Sequence, residues 1–229
     1  MGIHTVWDLA TQPSQRMQSQ LTIVVARTVM ELNGIPCLEL EESAPNKQEI
    51  VCSRSFSRRL TQYPELSAAL SEFCSRAAEK LRRQQSLTAC ITIFIRTNPF
   101  NQNEPQYQRT ASVKLDAATQ DTRAIITLAN RLLKELFKAG YGYHKCGVQL
   151  SQLQPESSPG QMELFDFADN GLPADNRPLM KVVDQINRRF PKAISVAATG
   201  FDKTWKAKAE RISPRYTTNW RELASVKCG

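Results

Sequence analysis

The chain has 229 residues, 41% of them hydrophobic and 23% charged, and a net charge of +8, which fits one large or two small domains of ordinary soluble composition. No apolar run reaches the length of about 18 that a membrane-spanning helix needs, and Met1–Thr5 has no basic stretch leading into an apolar one, so neither a membrane span nor a secretory signal is expected.

Residues 3–44 read as helical. Thr5-Val6-Trp7-Asp8 fits a capping box at a helix start. Leu21, Val24, Val25, Thr28, Val29 and Leu32 form a helical stripe that Asn33-Gly34 should end. Residues 46–150 show six elements. Glu49–Ser53 is strand-like, and Leu66, Leu70, Phe73, Ala77 and Leu81 mark one face of a helix. Ile91–Ile95 alternates as a strand does, and 98–105 must be a loop. Ala111, Val113 and Leu115 alternate with Thr110, Ser112 and Lys114. Asp121 opens a helix with Ile125, Leu128, Leu132 and Leu136 inward and Gly140 as its stop, and a last strand puts Cys146, Val148 and Leu150 on one side.

The order βαββαβ predicts an α+β domain: a four-stranded sheet with two helices on one face. The other face is left open, carrying Arg109, Ser112, Lys114 and Lys145, while the side Arg54 takes is undecided because the first strand alternates poorly. Residues 151–177 read as a flexible linker interrupted by one apolar island, Gln161–Phe167. In 178–229, Leu179, Val182, Val183 and Ile186 suggest a short helix and Ala193–Ala197 a strand. A basic stretch follows from Lys203 to Arg211, then an irregular polar-aromatic segment from Ser213 to Trp220. Charge follows the same divisions: net −3 over 1–45, +8 over 46–150, −5 over 151–176 with no Lys or Arg, and +8 over 177–229. Two basic blocks joined by an acidic one suggest two anion-binding surfaces.

The six cysteines include no C-x-x-C pair, and Cys52, Cys74, Cys90 and Cys146 fall in apolar segments, as buried free thiols of a reducing cytosol do. With only His4 and His144 present, a zinc site is not expected. No phosphate loop, H-E-x-x-H or G-x-S-x-G occurs, and the only adjacent acidic pair, Glu41-Glu42, reads as a solvated turn. Binding signals are stronger. A basic sheet face suits phosphate contact, with Ser and Thr hydroxyls adding hydrogen bonds. Base stacking of the RNA-binding ferredoxin-like kind would need interleaved aromatics, and Phe94 is alone in its strand. The apolar island is a candidate peptide motif for a protein partner.

Several segments together resemble the UmuC-type Y-family translesion DNA polymerases. Gly2–Ala10 resembles the end of the thumb's helix-hairpin-helix, and Lys47–Phe56 the opening strand of the little finger. Asn98-Pro99-Phe100, Asn103-Glu104-Pro105 and Ala111–Leu115 are similar to the same domain, and Ser213–Thr218 to a signature near the UmuC C-terminus. The resemblance implies a partial thumb (1–45), a DNA-binding little finger (46–150), a linker with a clamp-binding motif (151–177) and a C-terminal region (178–229). It implies that Ser53, Arg54, Arg109, Thr110, Ser112 and Lys114 meet the phosphates of damaged template-primer DNA. It also implies that Gln161-Met162-Glu163-Leu164-Phe165 binds the β sliding clamp, with Met162 in place of the commoner Leu. A UmuD′-like dimer and RecA are the further implied partners, and a cytoplasmic, nucleoid-associated location follows.

Palm and fingers domains, which carry the metal carboxylates in this family, are not in this sequence. No cofactor is therefore expected on this chain, Mg²⁺ belonging to the missing palm, and the chain alone is expected to be inactive in synthesis. It reads as a fragment beginning inside the thumb. Two other readings stand beside the polymerase one: a decoy competing for clamp or RecA, and an RNA-binding ferredoxin-like module.

Overall fold

Three short helices open the chain: α1 (Val6–Ala10), α2 (Ser14–Gln20) and α3 (Ile23–Leu32). In this computed structural model, residues 2–38, 45–101, 103–157, 173, 176–201, 203–206, 212–223 and 225 are described. They divide into two units, 1–46 and 47–229. The capping box forms as its sequence predicts: the Asp8 amide donates to Thr5 Oγ1 at 3.1 Å, and the Thr5 amide donates to Asp8 Oδ2 at 2.9 Å. Gly34, at φ +78°, ends α3 with paired bonds from Gly34 N to Glu31 O (3.0 Å) and Ile35 N to Met30 O (2.9 Å). The small core of this unit is Met17, Ala26 and Val29. The expected stripe is corrected here, since Leu21, Val24 and Leu32 are exposed. Helices of ten residues or fewer bury only the narrow strip that meets a neighbour, and in α3 that strip runs through Ala26 and Val29.

The second unit holds β1 (Ile50–Leu60), α4 (Tyr63–Arg83), β2 (Ser86–Arg96), β3 (Gln108–Thr119), α5 (Thr122–Leu136), β4 (Tyr143–Pro155) and α6 (Arg177–Arg189). The α+β expectation and its βαββαβ order are met. The strands pair β1-β4-β2-β3, every pair antiparallel. All five residues of the α4 stripe are buried, together with Ile91, Ile93, Ile95, Cys146, Val148 and Leu150 of the sheet. Both helices cover one face and are tied by Asn130, which accepts from Ser67 Oγ at 2.7 Å and donates to Ser71 Oγ at 3.0 Å. Cys52, Cys74, Cys90 and Cys146 are free and buried, and burial raises the Cys74 and Cys146 thiols far above their ordinary pKa.

Three boundaries differ from the sequence reading. β1 runs on to Leu60, because a register shift after Ser55 lets Phe56 and Leu60 keep inward positions while edge-strand charges take the rest. Helix α5 ends at Leu136 rather than Gly140. The Tyr143 hydroxyl accepts from Lys138 N and donates to Lys138 O, both at 2.9 Å, closing 138–143 into its own loop, in which Gly140 turns at φ +90°. β4 continues to Pro155, five residues into the segment read as linker.

The C-terminal region folds back onto the helix side of this unit. Asp184 of α6 forms a two-pronged pair with Arg82, at 2.7 and 2.8 Å. Asp121 caps α5 and also accepts from Asn176 N, the α6 cap, at 3.2 Å. Burial raises the Asp121 carboxyl, yet its bonds from Arg123 hold it below the usual carboxylate range. Trp205 enters the core edge-on to Phe56 and Phe73, with ring centroids 5.8 and 5.5 Å away. On either side of it, Lys203 (3.1 Å) and Lys206 (2.5 Å) meet Glu72, whose carboxyl they hold low against the opposing effect of burial. The expected strand at Ala193–Ala197 is absent. The Asn187 side chain binds both the N–H and the C=O of Ile194, at 2.9 Å each, so these groups do not join a ladder, and a single 3₁₀ turn follows at Ala197–Thr199.

Candidate nucleic-acid interface

The open sheet face can be read directly from the register, since residues opposite one another in an antiparallel ladder point to the same side. One row is Ser55, Lys145, Arg96 and Gln108, and the next is Ser53, Gly147, Phe94 and Thr110. A third is Val51, Gln149, Thr92 and Ser112, and a fourth carries Ser151, Cys90 and Lys114. Three cations and a field of hydroxyls and carboxamides share this face, and none of these paired positions is acidic. Glu49 reaches its rim only by accepting from Gln149 Nε2 at 2.7 Å. Thr92 and Ser112 hydroxyls bond each other at 2.8 Å.

Phe94 lies over Gly147 at the centre. A Cβ on Gly147 would stand 2.5 Å from the ring's Cζ and 2.4 Å from Ser53 Cβ, so the glycine is what lets the ring lie flat on the sheet. The result is a low, shallow surface that an extended backbone can approach closely.

The structure sorts the expected contact residues. Ser112, Lys114 and Lys145 lie on the open face as read, and Ser53 and Thr110 join them there. Arg109 does not, which corrects the reading: it pairs with Ile95, whose side chain is fully buried under the helices, and its guanidinium sits 5.6 Å from the Tyr107 ring centre. The alternation of β3 already implied this, because Arg109 is in phase with Ala111 and Val113. Arg54 pairs with the buried Cys146, so it also falls on the helix side, exposed because β1 is an edge strand. Arg96 was missed in the sequence, although the phase of β2 places it with Thr92 and Phe94. Its Nε is buried with no hydrogen-bond partner among the described residues.

The segment Gln161-Met162-Glu163-Leu164-Phe165 lies outside the described residues, as does Glu41-Glu42. Among the described residues no three His, Cys, Asp or Glu side chains gather as a metal site needs. No described helix is long and apolar enough to cross a membrane.

Residues 47–164 match the impB/mucB/samB family C-terminal domain, and residues 177–226 match a domain of unknown function. The chain is 42% identical over 228 residues to the protein UmuC of Salmonella typhimurium, covering 99% of this chain and 53% of that one. It is 39% identical over 229 residues to MucB of Escherichia coli, covering 99% and 53%. ImpB of Salmonella typhimurium is 39% identical over 230 residues, covering 100% and 53%. The chain thus spans about half the length of the curated relatives it matches.

Proposed function

The chain belongs to the impB/mucB/samB family of UmuC-type, Y-family polymerases, and we propose that it is the DNA-gripping and clamp-tethering portion of an error-prone translesion polymerase acting in SOS mutagenesis. The observation that carries the proposal is the open sheet face, with Lys114, Lys145 and Arg96 set among hydroxyls and no carboxylate at its paired positions. Such a surface neutralises phosphates without reading bases, which suits an enzyme that must hold damaged template-primer DNA of any sequence. Ser53, Thr110 and Ser112 add neutral hydrogen bonds to the same backbone. Arg54 and Arg109 lie on the two edge strands, in phase with the helix side, and are not assigned to this face.

Lys114→Ala with Lys145→Ala is expected to weaken template-primer binding equally across sequences. It should also lower the slope of log affinity against log salt by about 2, one for each phosphate no longer neutralised. Fluorescence anisotropy over a salt series measures both. An unchanged slope sinks the open-face assignment.

Clamp binding by Gln161–Phe165 rests on the sequence motif and its acidic surroundings. A short apolar anchor of this kind typically binds at about micromolar strength, roughly −8 kcal/mol. Leu164→Ala with Phe165→Ala is expected to abolish binding to a bacterial sliding clamp in surface plasmon resonance while DNA affinity stays the same. Equal clamp affinity for the variant rules the motif out. A UmuD′-like dimer and RecA are proposed as further partners on family membership alone. No residue is assigned to either, and synthesis is assigned to palm and fingers domains rather than to this chain.

A further inference from the structure

We propose that a basic cleft on the helix side of the second unit is a separate nucleic-acid site, one that takes the phosphodiester backbone of a single strand. The cleft lies between the C-terminal end of α4 and the length of α6 and has a volume of about 290 Å³. Arg177, Lys181 and Arg188 of α6 line it, four and then seven residues apart, which places them along one side of the helix. Arg83 faces them from α4. A neighbouring hollow shares Arg83 and adds Lys47 and Lys80, so the cationic surface continues around the end of α4.

The two carboxylates in the cleft are already engaged. Asp184 is held by Arg82, while Glu156 accepts from Gln120 Nε2 at 2.9 Å and faces Arg177 at 3.8 Å. Lys181 and Arg188 have no carboxylate partner among the described residues. Helix dipoles account for part of this charge but not for its run. Lys80, Arg82 and Arg83 end α4, and Arg188 and Arg189 end α6, where cations are favoured. Arg177 and Lys181 stand in the first turns of α6, where a cation opposes the dipole, and no acid accompanies them in the first turn. The dipole therefore does not explain their placement.

The lining chooses between kinds of polyanion. Every side chain in the cleft is polar, with Gln85, Gln120 and Gln185 between the cations. Protein interfaces bury an apolar centre, and none is present in this cleft, whereas a phosphate backbone asks only for donors and charge. The α-helical rise sets Arg177 about 6 Å from Lys181 along the axis, and Lys181 about 10 Å from Arg188, on the scale of successive phosphates in an extended strand. The cleft has no aromatic for stacking, so binding should be independent of sequence and steeply salt-dependent. The inference does not rest on the open-face reading, because the cleft lies on the opposite side of the sheet.

The test titrates the full 229-residue chain onto a labelled oligothymidine of about 20 nucleotides and onto a hairpin duplex. Lys181→Glu with Arg188→Glu is expected to lose roughly tenfold or more in single-strand affinity and stay within about twofold for duplex. Lys114→Ala with Lys145→Ala should show the reverse. Single-strand affinity unchanged in the α6 variant overturns the proposal, and so does competition by polyglutamate as effective as that by unlabelled oligothymidine. If the double glutamate variant melts early, Lys181→Ala with Arg188→Ala decides the matter, through a single-strand salt slope lower by about 2. Failure of only the Lys114 and Lys145 variant to weaken duplex binding counts against the open-face reading and leaves the cleft standing.

Discussion

Trp205→Ala is expected to destabilise the second unit by about 3–5 kcal/mol, the range for emptying a buried large aromatic site. Trp205 is 3% exposed and meets Phe56 and Phe73 edge-on, and each such pair adds about 0.5–1.5 kcal/mol beyond area burial. Phe56 belongs to β1 and Phe73 to α4, so the loss reaches the sheet and its covering helix together. Urea unfolding measures the effect, and tryptophan emission supplies a second readout. Trp7 and Trp220 are 76% and 89% exposed, which leaves Trp205 as the source of any blue-shifted native emission. Trp205→Phe is the control. It keeps an aromatic ring in the site and removes the indole N–H, which is buried with no hydrogen-bond partner among the described residues. Its cost should stay below about 1.5 kcal/mol. A midpoint unchanged in Trp205→Ala would mean that the C-terminal region does not complete this core.

That contact also marks where the sequence stops being legible. Local periodicity carried most of the sheet domain: the α4 stripe, the isoleucines of β2 and the inward residues of β4 all point where their spacing predicts. Alternation also decided the open face, and Arg109, misplaced there, is in phase with Ala111 and Val113 of its own strand rather than with Thr110 and Ser112. What could not be read locally was anything set by a distant partner. Lys203–Arg211 reads as a basic stretch, yet Lys203 and Lys206 neutralise the buried Glu72 and flank an anchor. The run Ala193–Ala197 has strand composition, but Asn187 takes the backbone groups of Ile194 before any strand can. Arg82 sits at a helix C-terminus, where a basic residue needs no special explanation, so its partner in α6 left no trace in the local pattern. The candidate DNA face was legible because sheet geometry repeats every two residues. The second cleft was not, because two segments far apart in the chain build it.

Asp184→Ala should be the most damaging single change in α6. Arg82 and Asp184 are only 10% and 14% exposed in their side chains, and the guanidinium is almost fully used. Nε and Nη2 grip the carboxylate, while Nη1 donates to Gln120 O at 2.9 Å and to Thr122 Oγ1 at 2.8 Å. Removing the carboxylate leaves a desolvated cation with two neutral acceptors, and breaking a buried pair in this way costs about 3–5 kcal/mol. The energy can be lost in either of two ways. If α6 unfolds together with the sheet, the whole cost appears in the urea midpoint. If α6 detaches first, the midpoint falls less, and the amides of 180–189 lose hydrogen-exchange protection while those of β2 and β4 keep it. The only described buried side chain of α6 is Met180, a small apolar anchor beside an ion pair of this strength, so local detachment is the expected outcome. A double-mutant cycle with Arg82→Ala then separates the pair from its surroundings: a coupling of about 2 kcal/mol or more assigns the docking of α6 to this contact, and a coupling near zero assigns it to the contacts of Asp121 and Met180.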